Sequence, residues 1–197
     1  MRADTNFEPL VTERLLLRRS EPEDAETISA YRSDPNVHRW QGWERTDPDG
    51  IRVEIKEMAS RAPGEPGGWV QLSVLEREGG ELVGDVGLSP ADGEPGVIKI
   101  GYTIAPAFQG QGLATEAVGA LVAYAFDTLV ADVVRAFASA ENVPSIRVAE
   151  NVGMRLVERI QRRDGDESWF VVRYEARRAS TPSPSTRMVY PLHPHSE

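Results

Sequence analysis

One segment of the 197-residue chain combines residue types and a spacing that can do chemistry: Gln109-Gly110-Gln111-Gly112-Leu113-Ala114. It follows a predicted strand directly and opens a predicted helix. Glycine lets successive backbone N–H groups curl round an anion, and a helix start adds a positive partial charge. The segment therefore reads as a phosphate cradle, with a plain glycine-rich turn as the competing reading. It is neither a dinucleotide fingerprint, whose glycine spacing differs, nor a Walker loop, because no Gly-Lys-Ser/Thr follows. A second candidate is the loop His38-Arg39-Trp40-Gln41-Gly42-Trp43. Trp40 and Trp43, two tryptophans in a short polar stretch, either form a platform for a bound acceptor through stacking or cation–π contact or pack over a sheet.

The elements that must position these groups follow from pattern. Arg14 to Arg19 reads as a short first strand with charged ends, and Ser20, before Glu21-Pro22-Glu23-Asp24, reads as the cap of a helix ending before Asp34-Pro35. Asp47-Pro48-Asp49 opens a second helix, with Ile51, Ile55 and Met58 on one face. Trp69–Glu76, Glu81–Leu88 and Val97–Ile104, separated by glycine turns, read as an antiparallel meander. Leu113 to Leu129, apolar over most of its girth, reads as a buried helix. It is followed by a strand Val133–Ala138, a helix Pro144–Asn151 and strands Arg155–Arg162 and Ser168–Tyr174. Residues 10–178 form one predicted domain, and 179–197, rich in serine, threonine and proline, a flexible tail.

Composition narrows the function. The chain is 40% hydrophobic and 27% charged, with no apolar run near the ~20 residues of a membrane span. The start lacks a secretory pattern, so a cytoplasmic protein is expected. Zero cysteines exclude disulfides, thiolate metal sites and a cysteine nucleophile. Two of the three histidines fall in the last five residues, which argues against a metal centre. Residues 21–110 carry 17 acidic and 8 basic side chains. That acidic half argues against nucleic acid as a partner and is compatible either with a cationic acceptor or with acidic residues kept for solubility.

The loop also resembles the coenzyme A pyrophosphate signature of the GNAT acyltransferases, Gln/Arg-x-x-Gly-x-Gly/Ala, met here by Gln109, Gly112 and Ala114. Ile100-Gly101-Tyr102-Thr103-Ile104-Ala105-Pro106 is similar to that family's pantetheine strand. Glu141-Asn142-Val143-Pro144-Ser145 and Glu150-Asn151-Val152-Gly153-Met154 resemble a segment typical of the branch containing ribosomal-protein N-terminal (Rim-type) acetyltransferases. Thr12-Glu13-Arg14-Leu15-Leu16-Leu17-Arg18 resembles that branch's first strand. The resemblance implies an α+β fold: a mixed, mostly antiparallel seven-stranded sheet with one splayed parallel strand pair, flanked by about four helices. The splayed strands would be Val97–Ile104 and Val133–Ala138.

The same resemblance implies acetyl-CoA as cofactor and direct attack by a primary amine. Tyr102, Thr103 and Ile104 would hold the pantetheine, and the backbone N–H of Thr103 or Ile104 would steady the thioester oxygen. Gln109 and the backbone from Gly110 through Gln111, Gly112, Leu113 and Ala114 to Thr115 would hold the pyrophosphate. Asn142 would bond the pantetheine and Ser145 would meet the sulfur; both also sit where a helix begins and read equally as caps. Relatives often carry glutamate just before Ile-Gly-Tyr, where this chain has Lys99, so the general base is open among Asp85, Glu141 and a water chain. Trp40 and Trp43 would meet the acceptor, a protein N-terminus or a small cationic amine such as an aminoglycoside, in a monomer or homodimer. The alternative is a non-catalytic acyl-CoA-binding sensor or scaffold.

Overall fold

The computed structural model describes residues 1–43, 45–165 and 167–178; the tail expected over 179–197 lies outside them. The strands are β1 Leu10–Val11, β2 Leu15–Arg19, β3 Val70–Glu76, β4 Leu82–Pro90, β5 Val97–Ile104, β6 Val133–Ser139, β7 Arg155–Asp164 and β8 Glu167–Arg177. The helices are α1 Ala25–Arg32, α2 Pro35–His38, α3 Pro48–Ala59, α4 Leu113–Asp127 and α5 Val143–Asn151. One sheet runs β1-β2-β3-β4-β5-β6-β8-β7, antiparallel except for the β5–β6 pair. The eighth strand is the two-residue β1, paired on β2. The fifth helix is the single turn α2, where Asp34 accepts from the Asn36 N–H and Pro35 takes a position that needs no donor.

The two faces of the sheet are unlike. Alternate residues of β2 to β6 (Leu15, Leu17, Leu72, Val74, Val86, Leu88, Ile98, Ile100, Val134) are buried with Leu113, Ala117, Val118 and Leu121 of α4. The glycine-led α4 is apolar nearly all round because it lies in this main core. Over the other face, α1 and α3 join in a smaller cluster of Ala25, Ile28, Tyr31, Ile51 and Ile55. Among the described residues these helices pack mainly on β3 and β4 rather than on β5. The intervening residues on this face are polar under the helices as well as beyond them: Arg18, Gln71, Ser73, Asp85, Lys99, Thr103 and Arg135.

The entry to α1 differs from the sequence expectation. Ser20 is not the helix cap; its hydroxyl donates to that of Ser73 at 2.9 Å, because the Ser73 proton goes to Asp24. Asp24 takes over instead, accepting from the Glu21 N–H at 2.9 Å, from Ser73 Oγ at 2.7 Å and from both Arg18 amino groups at 2.8 Å. A carboxylate binds several donors at once, which one hydroxyl cannot do. Burial alone would raise the Asp24 pKa, but Arg18 and these donors hold it below the usual carboxylate value. Asp24→Ala leaves Arg18 only the exposed Glu21 at 3.7 Å and should lower unfolding free energy by about 3 kcal/mol in denaturant titration. In the parent protein this stability is present above the ordinary carboxylate pKa and is lost as pH falls through the lowered folded value. A variant that kept that acid dependence would show the pair is not its source.

Candidate active site

The site begins where β5 and β6 part. Their register runs Val97↔Val133, Ile98↔Val134, Lys99↔Arg135, Ile100↔Ala136 and stops. From Gly101 to Ile104 the edge of β5 facing β6 has no strand partner among the described residues, whereas its other edge stays paired to β4. Past the end of β5, Ala105-Pro106 leads through a short 3-10 turn into the glycine loop. Gly110 and Gly112 have φ of 78° and 80°, a left-handed backbone that side-chain-bearing residues adopt at a cost. Gly112 caps α4 with no side chain to satisfy the first helical N–H groups of Leu113, Ala114 and Thr115. A Cβ built on Gly110 meets nothing within 4 Å, and one on Gly112 meets only Arg14 Nη2, at 3.6 Å. Open donors at an uncapped helix start fit the pyrophosphate of acetyl-CoA. The Gln109 side chain turns away from this cradle and donates to the Ile104 carbonyl at 2.8 Å, tying the loop to the end of β5.

Across the gap, Asn142 Oδ1 accepts from the Ser145 N–H at 3.3 Å and caps α5. The Ser145 hydroxyl donates to the Tyr102 phenol at 3.0 Å, and the phenol donates to the Ser145 carbonyl at 2.8 Å. This pair links β5 to α5 over the opening between the strands. Burial raises the Tyr102 pKa, with the Ser145 contact opposing it, so the phenol keeps its proton at neutral pH.

On the opposite face lies a cleft of about 630 Å³. Its floor is β4 and β5, its walls α3, the loop before α3 and the segment leading into β3. Asp85, directly opposite Thr103 in the β4–β5 register, lies at one end of the floor and is 3% exposed. Tyr31 and Gln71 both donate to its carboxylate. Burial pushes the Asp85 pKa up; Arg32 and the two donors oppose this without cancelling it. Arg32, itself buried, pairs with Glu54 at 2.7 Å and lies 4.8 Å over the Trp43 ring. Gln41 Nε2 donates to Thr103 Oγ1 at 3.0 Å, pinning the loop to the floor.

Of the residues singled out from sequence, Asp85, Thr103, Tyr102 and Trp43 line this cleft together. Glu141 is exposed and is not among the lining residues. Trp40 does not line it either and stacks with Arg39 at 4.4 Å. Sequence reading missed Trp69, Gln71, Tyr31 and Arg32. Trp69 lies across the strands: a Cβ on Gly87 would meet its ring at 3.1 Å and one on Gly101 at 3.7 Å. The signal for it was present, since two glycines at facing positions of neighbouring strands mark a place where something packs close.

The comparisons with known proteins agree with this geometry. A family model described as an acetyltransferase (GNAT) domain matches residues 14–155. The uncharacterized N-acetyltransferase p20 of Bacillus licheniformis is 34% identical over 150 residues, spanning 76% of this chain and 83% of that protein. A GNAT-family acetyltransferase of Bacillus anthracis is 26% identical with a TM-score of 0.74, over 86% of this chain and 98% of its own. RimL, a ribosomal L7/L12 α-N-protein acetyltransferase solved with coenzyme A, shares the fold at 16% identity, with a TM-score of 0.74 over 86% and 98% of the two chains. No helix among the described residues is long and apolar enough to cross a membrane. An uncapped glycine loop after a strand that leaves its neighbour, carried on a sequence that the family model covers for most of its length, makes this chain a member of the GNAT acetyltransferases, enzymes whose acetyl donor is acetyl-CoA.

Proposed function

We propose that the chain transfers the acetyl group of acetyl-CoA to a primary amine held in the cleft, with Asp85 receiving the amine's proton. The observation that carries this reading is the position of Asp85: directly across from Thr103, in the stretch Gly101–Ile104 where β5 has already left β6. An aliphatic ammonium, with a pKa near ~10, must shed a proton before its nitrogen can attack. A carboxylate whose pKa is raised by burial is a better proton acceptor than a solvated one. As the N–C bond forms and the C–S bond breaks, the backbone N–H of Ile104, on the β5 edge turned away from β4, stabilises the carbonyl oxygen, whereas that of Thr103 is directed to β4. Ser145, beside the protonated Tyr102 phenol, would turn its hydroxyl to the departing sulfur, which takes the attacking nitrogen's second proton and leaves as the coenzyme A thiol, and Asn142 orients Ser145 from the helix cap.

The acceptor is a protein N-terminus or a small cationic amine, and we place the reaction in the cytoplasm. Glu141 is the weaker base candidate because it is not among the residues lining the cleft. Trp43 and Trp69 supply the aromatic surface against which the acceptor lies. Trp69→Ala should raise the acceptor KM about tenfold, the scale of a lost aromatic contact, and leave coenzyme A affinity unchanged. An unchanged KM would move the acceptor off that wall.

The direct test is thiol release from acetyl-CoA against N-terminal peptides, aminoglycosides, polyamines and amino acids, with coenzyme A binding followed by calorimetry. Release with one class confirms transfer and names the acceptor. Binding without release from any of them overturns the amine-acceptor reading and favours a sensor.

A further inference from the structure

Charge is not spread evenly along the cleft floor. At the end beside Thr103, Asp85 and Glu54 share one arginine, Arg32, which leaves that end net negative. The next pair of floor residues is Gly87 and Gly101, roofed by Trp69. One pair further comes Ser89 opposite Lys99. Lys99 lines the cleft, and its nearest acid, Asp92, lies 3.6 Å away and is almost fully exposed. Arg61 lies at the same end: its guanidinium packs so closely over Gly68, the neighbour of Trp69, that a Cβ there would collide with it. Arg61 makes no ion pair among the described residues, while Glu57, which also lines the cleft, is held by Arg45 at 3.3 Å. The nearby Arg135 is neutralised by Glu94 and Glu175.

The groove thus has an acidic pole at the acetyl donor, an apolar middle of two glycines under a tryptophan, and a cationic pole beyond. Thr103 and Lys99 are four residues apart on one strand, about 13 Å at ~3.3 Å per residue. From this we infer that the acceptor is an amine that also carries an anionic group, carboxylate or phosphate, on the order of 10 Å from its nitrogen across an apolar body. The inference rests on the acetyltransferase reading above and narrows its acceptor. A peptide N-terminus with an acidic third or fourth residue meets the description, since extended chain spans ~3.3–3.6 Å per residue. So does a small amino acid whose two charges lie at opposite ends. A polyamine does not, because its second ammonium would face Lys99 and Arg61.

The test uses two matched acceptor series, tripeptides and tetrapeptides ending their span in Glu, Gln or Lys, and ω-amino acids against their amides and diamines. In the parent enzyme, kcat/KM should fall about tenfold from acid to amide, the size of one charge-assisted hydrogen bond, and further for the cation. The double variant Arg61→Ala, Lys99→Ala should bring acid and amide within about twofold, and Lys99→Glu should favour the cation. Preference within one series alone assigns the source, peptide or small molecule. Equal rates for acid, amide and cation in the parent enzyme, or a preference that survives the double variant, would overturn the inference while leaving acetyl transfer intact. Should no acceptor release thiol, transfer to these amines fails as a reading. Calorimetric affinity of the same series for the coenzyme A complex then decides the charge preference, and equal or absent binding overturns it.

Discussion

Asp85→Asn should lower kcat by about 10²–10³-fold, the usual range for removing a positioned general base, with coenzyme A affinity unchanged. Asparagine keeps the volume and can still meet Tyr31 and Gln71, so the fold should survive; a melting curve checks this. The pH profile separates a base from a merely structural residue. Burial raises the folded-state pKa of Asp85 above the ordinary carboxylate value. Activity that needs the ionised form should therefore rise with pH along a limb lying above the range of a solvated aspartate. In the variant that limb should disappear. The linkage runs the other way for stability: a raised folded pKa favours the native state at low pH, and this contribution is lost as pH rises through the folded value. The enzyme should thus gain activity and give up some stability over the same interval. A variant that retains both its kcat and its acid limb would remove Asp85 from catalysis and return attention to a water chain.

Gly112→Val should weaken coenzyme A binding by at least about a hundredfold by calorimetry. The residue has φ of 80° and begins α4 with no side chain over the exposed N–H groups. A β-branched side chain there costs about 1–3 kcal/mol of backbone strain if the conformation is kept, and disturbs the cradle if it is not. A Cβ at this position would meet only Arg14 Nη2, at 3.6 Å, so the expected loss comes from the backbone and the cradle rather than from a clash at the Cβ. Helix α4 is anchored independently, through Leu113, Ala117, Val118 and Leu121 in the core and through Glu116, which accepts from the Arg14 backbone at 2.8 Å and from Thr12 at 2.6 Å. Circular dichroism should accordingly show a folded protein. Unimpaired binding in that folded variant would mean the phosphates lie elsewhere.

Much of this was legible in residue order alone. The glycine loop could be placed between a strand and a helix because local chemistry, left-handed glycine and an apolar helical run, operates over a few neighbours. The caps at Asp47 and Asn142 were readable for the same reason. The boundaries of β5 followed from glycine turns on one side and Ala105-Pro106 on the other. Even the departure at Lys99 was visible, as a cation where relatives often carry an acid, though not what it would face.

Tertiary structure decided the rest, and the reason is separation along the chain. Tyr31, Gln71 and Asp85 come from α1, β3 and β4, and no local pattern says that two of them donate to the third. Residue order named Asp85 as a candidate base, but whether it would be wet or dry depended on α1 and α3 packing over that face of the sheet. The same helices pack mainly on β3 and β4, and the cleft opens between α3 and the floor formed by β4 and β5. Trp69 follows a glycine-rich turn at the end of an expected strand, where nothing local distinguishes a surface ring from one laid across Gly87 and Gly101. Gln109 matched a binding signature by type, yet the nearest strong acceptor for its amide was the Ile104 carbonyl. Residue type and spacing determined that this protein could hold a phosphate-bearing donor; only long-range packing, by burying one carboxylate, leaving Arg61 without an acid among the described residues and giving Lys99 only the exposed Asp92, set the charges of the cleft beside it.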